Sequence, residues 1–385
     1  MRRTAQPLAR TAVALLLAAA AAPAAPAHAQ AQKRPLAIED FDHWKSIDGE
    51  RLSKDGRWLA YTLTPQVGEG VVVVRDADGQ AEYRHTRGFI GRPNQRPGAD
   101  RNNLWRAPAA QFTADARHLL FTIEPTREVY EAAQRSKKKD APRPTSSLGI
   151  LRTADGSVEV VERVKSFRAP EDSGRWLAYL LEPDTTQKAQ EESDSAAAPA
   201  AAAEPGEEPR PVADSASTAD KKKKTYGSTL VIRDLESGAE ARVEDVVAYA
   251  FDDAGRRLAY TVSSKDSTSD GAWLRELEGG ATQALLSGEG DYKELTFDDA
   301  GRQLAFVSNR DDYASENPRF TLYHATVDRP SARAIVTSAT LADTLVVADR
   351  MVGFTEDGRV LRFGVRRPPL DSIPADSLAD KAVFD

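Results

Sequence analysis

Apolar and polar positions alternate in short runs along this chain, and one such run recurs six times. Each copy has a turn glycine (once an alanine), an arginine, a variable residue, a leucine, a second variable residue and an aromatic. The copies begin at Gly56, Ala116, Gly174, Gly255, Gly301 and Gly358, and read Gly56-Arg57-Trp58-Leu59-Ala60-Tyr61 in the first and Gly358-Arg359-Val360-Leu361-Arg362-Phe363 in the last. Their starts lie 60, 58, 81, 46 and 57 residues apart. Self-similarity at this period marks a modular architecture whose units bury their faces against one another.

The residues after each turn alternate as a strand does, so that Leu59, Tyr61 and Leu63 point one way and Trp58, Ala60 and Thr62 the other. Both sets are largely apolar, which predicts a sheet sandwiched between two other sheets. A second strand ending in a hairpin turn follows each copy: Val71 to Gly79, Leu148 to Gly156, Leu230 to Gly238 and Trp273 to Gly280, with Phe320 to His324 as a fifth. Each repeat has room for four short strands in roughly 50 residues. The expected fold is therefore all-β, a β-propeller of four-stranded blades with six visible and the ring incomplete. A β-sandwich would not repeat one register six times.

Two segments interrupt the pattern. Residues 183–224 are mostly Ala, Pro, Glu, Asp and Ser and end in Lys221 to Lys224; residues 134–144 form a shorter version containing Lys137, Lys138 and Lys139. Such compositions bury too little surface to order themselves, so both are expected to be disordered insertions. Both follow the aromatic strand of their repeat and should emerge on one rim. The lysine runs read as solvated linker ends, because neighbouring acids offset them.

The first thirty residues have a different pattern. Arg2, Arg3 and Arg10 precede an Ala/Leu/Val run from Thr11 to Ala25, and Ala27-His28-Ala29 supplies small residues for a signal peptidase. Residues 1–29 are expected to be a cleaved secretory signal, leaving 30–385 as the propeller, periplasmic or secreted and without a membrane anchor. Cleavage removes three arginines and moves the formal charge from -7 to -10. An acidic exported chain is a poor nucleic-acid binder. The absence of cysteine excludes disulfides, thiolate nucleophiles and cysteine-ligated zinc.

Candidate chemistry is sparse. His43, His85, His118 and His324 are scattered singly, and His118 lies within a repeat strand, so no metal site is expected. Asp55, Asp115 and Asp357 precede the turn residue and are expected to bond to their own backbone. Ala116 should cost about 1 kcal/mol if its position is left-handed. The six arginines are expected to pair with turn acids or lie over a blade edge. Ser53 and Ser308 read as turn and strand-end serines, and Gly68-Glu69-Gly70 runs into four valines rather than a phosphate loop. No catalytic, cofactor-binding or metal-binding residue is singled out.

The Asp-Gly-Arg-Trp-Leu-Ala-Tyr stretch at 55–61, the Leu-Val-Ile-Arg-Asp-Leu-Glu-Ser-Gly hairpin at 230–238 and Ser308-Asn309-Arg310-Asp311 resemble the N-terminal propeller of exported prolyl oligopeptidase family serine peptidases. The likeness extends to the acidic, lysine-ended insertion before Thr229 and the lysine-rich stretch before Ser147. It implies a propeller that gates or orients peptide substrates for an α/β-hydrolase domain carrying Ser, Asp and His. That domain is absent from this chain, which has no Gly-x-Ser-x-Gly. The chain stops at Ala382-Val383-Phe384-Asp385, which reads as the opening of another blade strand, so a truncated peptidase is expected. The alternative is a free-standing periplasmic propeller that binds a protein or polysaccharide partner. An incomplete ring leaves sheet edges open, and residues 30–385 alone should aggregate or swap strands.

Overall fold

A computed structural model describes residues 37, 40–41, 44–66, 68–90, 110–136, 144–183, 224–342 and 344–368. The signal segment, His43, Lys137 to Lys139, Lys221 to Lys223 and the C-terminal Ala-Val-Phe-Asp lie outside the described residues. All strands belong to the unit Lys45–Asp385.

The chain folds as a row of propeller blades. The first is β1 (Lys45–Leu52), β2 (Trp58–Pro65), β3 (Gly70–Asp76) and β4 (Glu82–Gly88), hydrogen-bonded in that order. The second is β5 (Ala110–Phe112), β6 (His118–Ile123), β7 (Ser147–Arg152) and β8 (Val158–Val161). The third comprises β9 (Val164–Arg168), β10 (Trp176–Leu181), β11 (Ser228–Asp234) and the first half of β12 (Glu240–Phe251). The second half of β12 opens the fourth, with β13 (Arg257–Val262), β14 (Gly271–Glu276) and β15 (Thr282–Ser287). The fifth is β16 (Tyr292–Phe297), β17 (Gln303–Ser308), β18 (Thr321–Thr326) and β19 (Arg329–Val336). Among the described residues the sixth repeat forms short pairs, β20 (Val346–Val347) with β23 (Val365–Arg366) and β21 (Gly353–Phe354) with β22 (Leu361–Arg362).

The motif's register decides how these sheets stack. Leu119 and Phe121, at its fourth and sixth positions, pack on Trp58, Ala60, Val72 and Val74 of the preceding sheet. Leu120, at the fifth, packs on Leu177, Tyr179 and Val231 of the following one. The same division places Ala178 and Leu180 against Leu258 and Tyr260, and Ala259 against Leu304 and Phe306. Val307 reaches Leu361 and Phe363 of the sixth repeat. The recurring Leu-x-aromatic is thus the face each blade turns to its predecessor, and each such side chain contributes roughly 1.5–3 kcal/mol on burial.

The first blade departs from the expectation that both faces are covered. Trp58 and Ala60 are buried, whereas Leu59 is 38% exposed and Tyr61 and Leu63 are half-buried. No preceding sheet exists among the described residues to cover them.

Five of the six turns reach one backbone shape, with a positive φ at Gly56, Ala116, Gly255, Gly301 and Gly358, and use different acceptors; the third departs from it, since Gly174 is not left-handed and the Asp172 N–H donates to the distant Asp253 carbonyl. In the first, second and sixth repeats the aspartate is third: Asp55 accepts from the Arg57 N–H, Asp115 from that of Arg117, and Asp357 from that of Arg359. Ser53, Thr113 and Thr355, two residues earlier, donate to those carboxylates and accept from Trp58, His118 and Val360 N–H. In the fourth and fifth repeats a single buried aspartate at the first position serves instead. Asp252 accepts from Arg256 and Arg257 N–H, and Asp298 from Arg302 and Gln303 N–H. Successive turns nest: a Cβ on Gly301 would lie 3.0 Å from Asp252 Oδ2, and one on Gly358 3.1 Å from Asp298 Oδ2.

Ala116 is left-handed, with φ of 59°. The motif arginine recurs in its backbone role, since the carbonyls of Arg57, Arg117, Arg175, Arg256 and Arg302 each accept the N–H that opens the next hairpin turn. The side chains diverge. Arg175 clasps Asp234 at 3.0 Å over the Trp176 ring, while Arg117, Arg256 and Arg359 lie 3.6–3.9 Å from their own turn acids.

Candidate functional site: the long-loop rim

Strand order places every Gly-Arg turn and every second hairpin turn at one end of the sheets. The connections from second to third strand and from sheet to sheet therefore emerge at the other end. That rim carries α1 (Arg127–Arg135), which follows β6, together with the loops at 263–270, 288–291, 309–320 and 337–345. Both insertions leave from it. The shorter one begins later than the composition suggests, because Gln134 and Arg135 are helical. Thr126 caps α1 by accepting from Val129 N–H, and Arg127 and Arg135 both grip Glu131 at 2.7 Å.

Lys224 corrects the expectation of a solvated lysine run. Its ammonium is 2.6 Å from Oδ2 of Asp270 and donates to Ser267 Oγ at 2.7 Å, with Glu289 3.9 Å away. The carboxylate of Asp270 is fully buried and also accepts from the Ser264 N–H and Oγ. Burial works to lower the Lys224 pKa, but Asp270 and Glu289 outweigh it and hold the group above the ordinary lysine value. The insertion's last lysine is thereby stapled to the loop between β13 and β14. Composition predicts a charged linker; only the tertiary fold brings a buried aspartate to its end.

Next to this staple, Asn309 is buried and exchanges two hydrogen bonds with Asp291, at 2.7 and 2.9 Å. Arg310 reaches the Ser287 carbonyl at 3.0 Å and Asp311 at 2.7 Å. Tyr323 on β18 donates to the same Asp311 carboxylate. Burial pushes the Asp311 pKa up, and the bonds from Tyr323 and Arg310 more than reverse this, so it stays below the usual carboxylate range. Burial, then Asp311, raise the Tyr323 phenol. Ser308-Asn309-Arg310-Asp311 is thus a corner clamp between the fourth and fifth blades.

Beyond the clamp opens a cavity of about 630 Å³ lined by Asp311, Asp312, Ser315, Arg319, Thr337 and Ser338, among others. Asp312 accepts from Ser315 Oγ and from the Arg319 N–H. Ser315 has a carboxylate beside it and no imidazole among the described residues that line the cavity. The described histidines are elsewhere: His85 touches the Thr86 carbonyl, His324 the Gln303 side chain, and burial lowers the pKa of His118 within its strand. Among the described residues no group of three His, Asp or Glu side chains is placed to hold a metal ion, and no helix is long and apolar enough to cross a membrane. The groove offers hydroxyls, carboxylates and a guanidinium, which suit hydrogen-bonded recognition of a polar chain. None of its residues except Asp311 was marked by sequence pattern, because the hairpin of β18 and β19 brings the two loops together from positions 26 residues apart in the chain, Asp311 to Thr337.

The sequence matches no protein-family model and no curated protein. Solved structures with a similar course of chain include the β-propeller domain of the trilobed protease from Pyrococcus furiosus, at 11% identity over 79% of this chain and 78% of that one, with a TM-score of 0.36. A protein assigned as TolB from Agrobacterium tumefaciens aligns at 12% identity over 76% and 81%, with a TM-score of 0.33. The tricorn protease aligns at 15% identity over 77% of this chain but 23% of its own length, with a TM-score of 0.36. At such identities and scores none of these likenesses speaks to activity.

Proposed function

We propose that this chain is the propeller portion of an exported prolyl oligopeptidase-type serine peptidase, and that its long-loop rim orients peptides for a hydrolase domain. The observation that supports this reading most directly is the asymmetry of the rims. One end of most blades is a short turn that satisfies its own backbone, whereas the other gathers the long connections, the points where both insertions leave, and a polar groove. The groove's hydroxyls, carboxylates and guanidinium suit a polar chain, which supports a role in orienting a peptide. The signal-like pattern of residues 1–29 supports an exported location for it.

The test is the intact mass of the native protein from its producing organism, followed by a serine-directed activity probe. A mass larger by at least about 250 residues, the scale of one further large domain, together with probe labelling, supports the reading. A mass equal to processed 30–385 with no labelling overturns it in favour of a free-standing propeller that binds a protein or polysaccharide partner.

A further inference from the structure

The seam between the second and third blades is apolar along most of its length and charged at its turn-rim end. Leu120, Leu148 and Ile150 of the second blade meet Leu177, Tyr179 and Val231 of the third. Strand pairing extends both faces by one step toward the turns. On the second blade His118 lies opposite Arg152, and Glu159 lies opposite Ile150. On the third, Arg233 comes two residues after Val231 and lies opposite Glu240. Arg233 crosses the seam to grip both oxygens of Glu159, at 2.5 and 2.8 Å, and the Tyr179 hydroxyl donates to Glu240 at 2.9 Å. Arg242 stands 3.6 Å from Glu240, Arg152 3.4 Å from Asp155 and Arg117 3.6 Å from Asp115. Arg117, Arg152, Arg233 and Arg242 are thus matched by Asp115, Asp155, Glu159 and Glu240 while His118 is neutral. His118 is itself half-buried. Its Nδ1 is fully buried with no hydrogen bond from any described residue, and the Nε of Arg233 is buried in the same way. The same motif position carries Trp58, Trp176, Arg257, Gln303 and Val360 in the other repeats, so a group that titrates near neutrality is peculiar to this seam.

We propose that this seam is a pH-sensitive joint, in which protonation of His118 loosens the contact between the second and third blades. Protonation adds an unmatched positive charge to a balanced set, and it puts a second N–H on a ring whose buried Nδ1 has no acceptor among the described residues. The repulsion acts on Arg233, the residue that ties the third blade to Glu159. Burial lowers the His118 pKa; Asp115 opposes this, and Arg152, Arg117 and Arg233 reinforce it. Because the folded value lies below the unfolded one, about 6.5, the joint is fully stabilised above the unfolded value and weakens as pH falls from there through the folded value. The joint lies between the two blades from which the insertions leave.

The test is a pH series on the purified chain and its His118→Gln variant, glutamine being the residue that the fifth repeat already carries at this position. The urea midpoint of the wild type should fall relative to the variant as pH drops from about 7.5 to about 5, and run parallel to it below the folded value. In a proton NMR titration the His118 ring signal, assigned by its loss in the variant, should move at a pH below about 6.5. Hydrogen exchange on the wild type alone decides the matter should the variant misfold. After correction for the intrinsic effect of pH, amides of residues 118–120 and 231–233 should gain at least about threefold in exchange rate at acid pH over those of 259–260 and 304–306, which flank the seam between the fourth and fifth blades. Wild-type and variant midpoints that keep a constant gap across the series, a His118 signal that moves at or above about 6.5, or equal acceleration in the two seams would each overturn the proposal.

Discussion

The two rims of this blade row are made from the ends of the same strands, yet one is repetitive and the other is not. On the turn rim five of the six motif turns satisfy their own backbone within five residues, so one short motif can be copied with only the acceptor exchanged, Asp252 for the Ser53 and Asp55 pair. On the long-loop rim polar groups find partners far away in the chain, as Lys224 finds Asp270 and Asp291 finds Asn309. Local satisfaction permits repetition. Non-local satisfaction makes each loop individual, and individuality is what a recognition surface requires.

Substitutions can break this contrast in order of expected effect. Lys224→Met strands the buried Asp270 carboxylate and should cost about 3 kcal/mol, read as a lowered midpoint in urea unfolding; adding Asp270→Asn should recover much of it. The pH dependence follows from the raised Lys224 pKa. Its stabilisation is complete below the unfolded lysine value, about 10.4, and is lost as pH rises through the folded value. The gap in melting temperature between wild type and Lys224→Met should therefore close only in strong alkali; a gap that closed near neutrality would refute the staple.

On the turn rim, Asp252→Ala leaves two backbone N–H groups without their buried acceptor and should cost about 2 kcal/mol, whereas Asp55→Ala, at an exposed turn, should cost less than half as much. Equal losses would mean that the two turn designs are not different in kind. Gly56→Ala meets no atom within 4 Å, so its cost should be the left-handed backbone alone, about 1 kcal/mol. Ala116→Gly should be smaller still. The relief of left-handed strain is offset by loss of a buried methyl packed between the first two blades, worth about 0.8 kcal/mol, so chemical denaturation should find the variant within about 0.5 kcal/mol of wild type.

Much of the fold can be read from spacing because β structure has a period of two. Trp58 against Tyr61, or Leu119 against Leu120, assigns faces before any coordinates exist, and five hairpins fall where Val71, Leu148, Leu230, Trp273 and Phe320 place them. What spacing misses is α1, whose stability rests on the Thr126 cap and the Arg127, Glu131 and Arg135 triad rather than on an apolar stripe. It also misses that the first blade has one bare face, because Leu59 and Tyr61 look the same as Leu258 and Tyr260 until their neighbours are known.

Local pattern along the chain carries the architecture: six copies of one turn-and-strand unit, the direction each side chain takes from its strand, and the rim from which the insertions leave. All of these follow from interactions within a few residues. The tertiary structure alone decided which polar groups meet. Lys224 with Asp270 depends on how the third and fourth blades align, and Tyr323 with Asp311 and the groove between the 311–319 and 337–338 segments depend on how the strands of the fifth blade bring its long loops together; nothing local to any of these residues encodes those meetings.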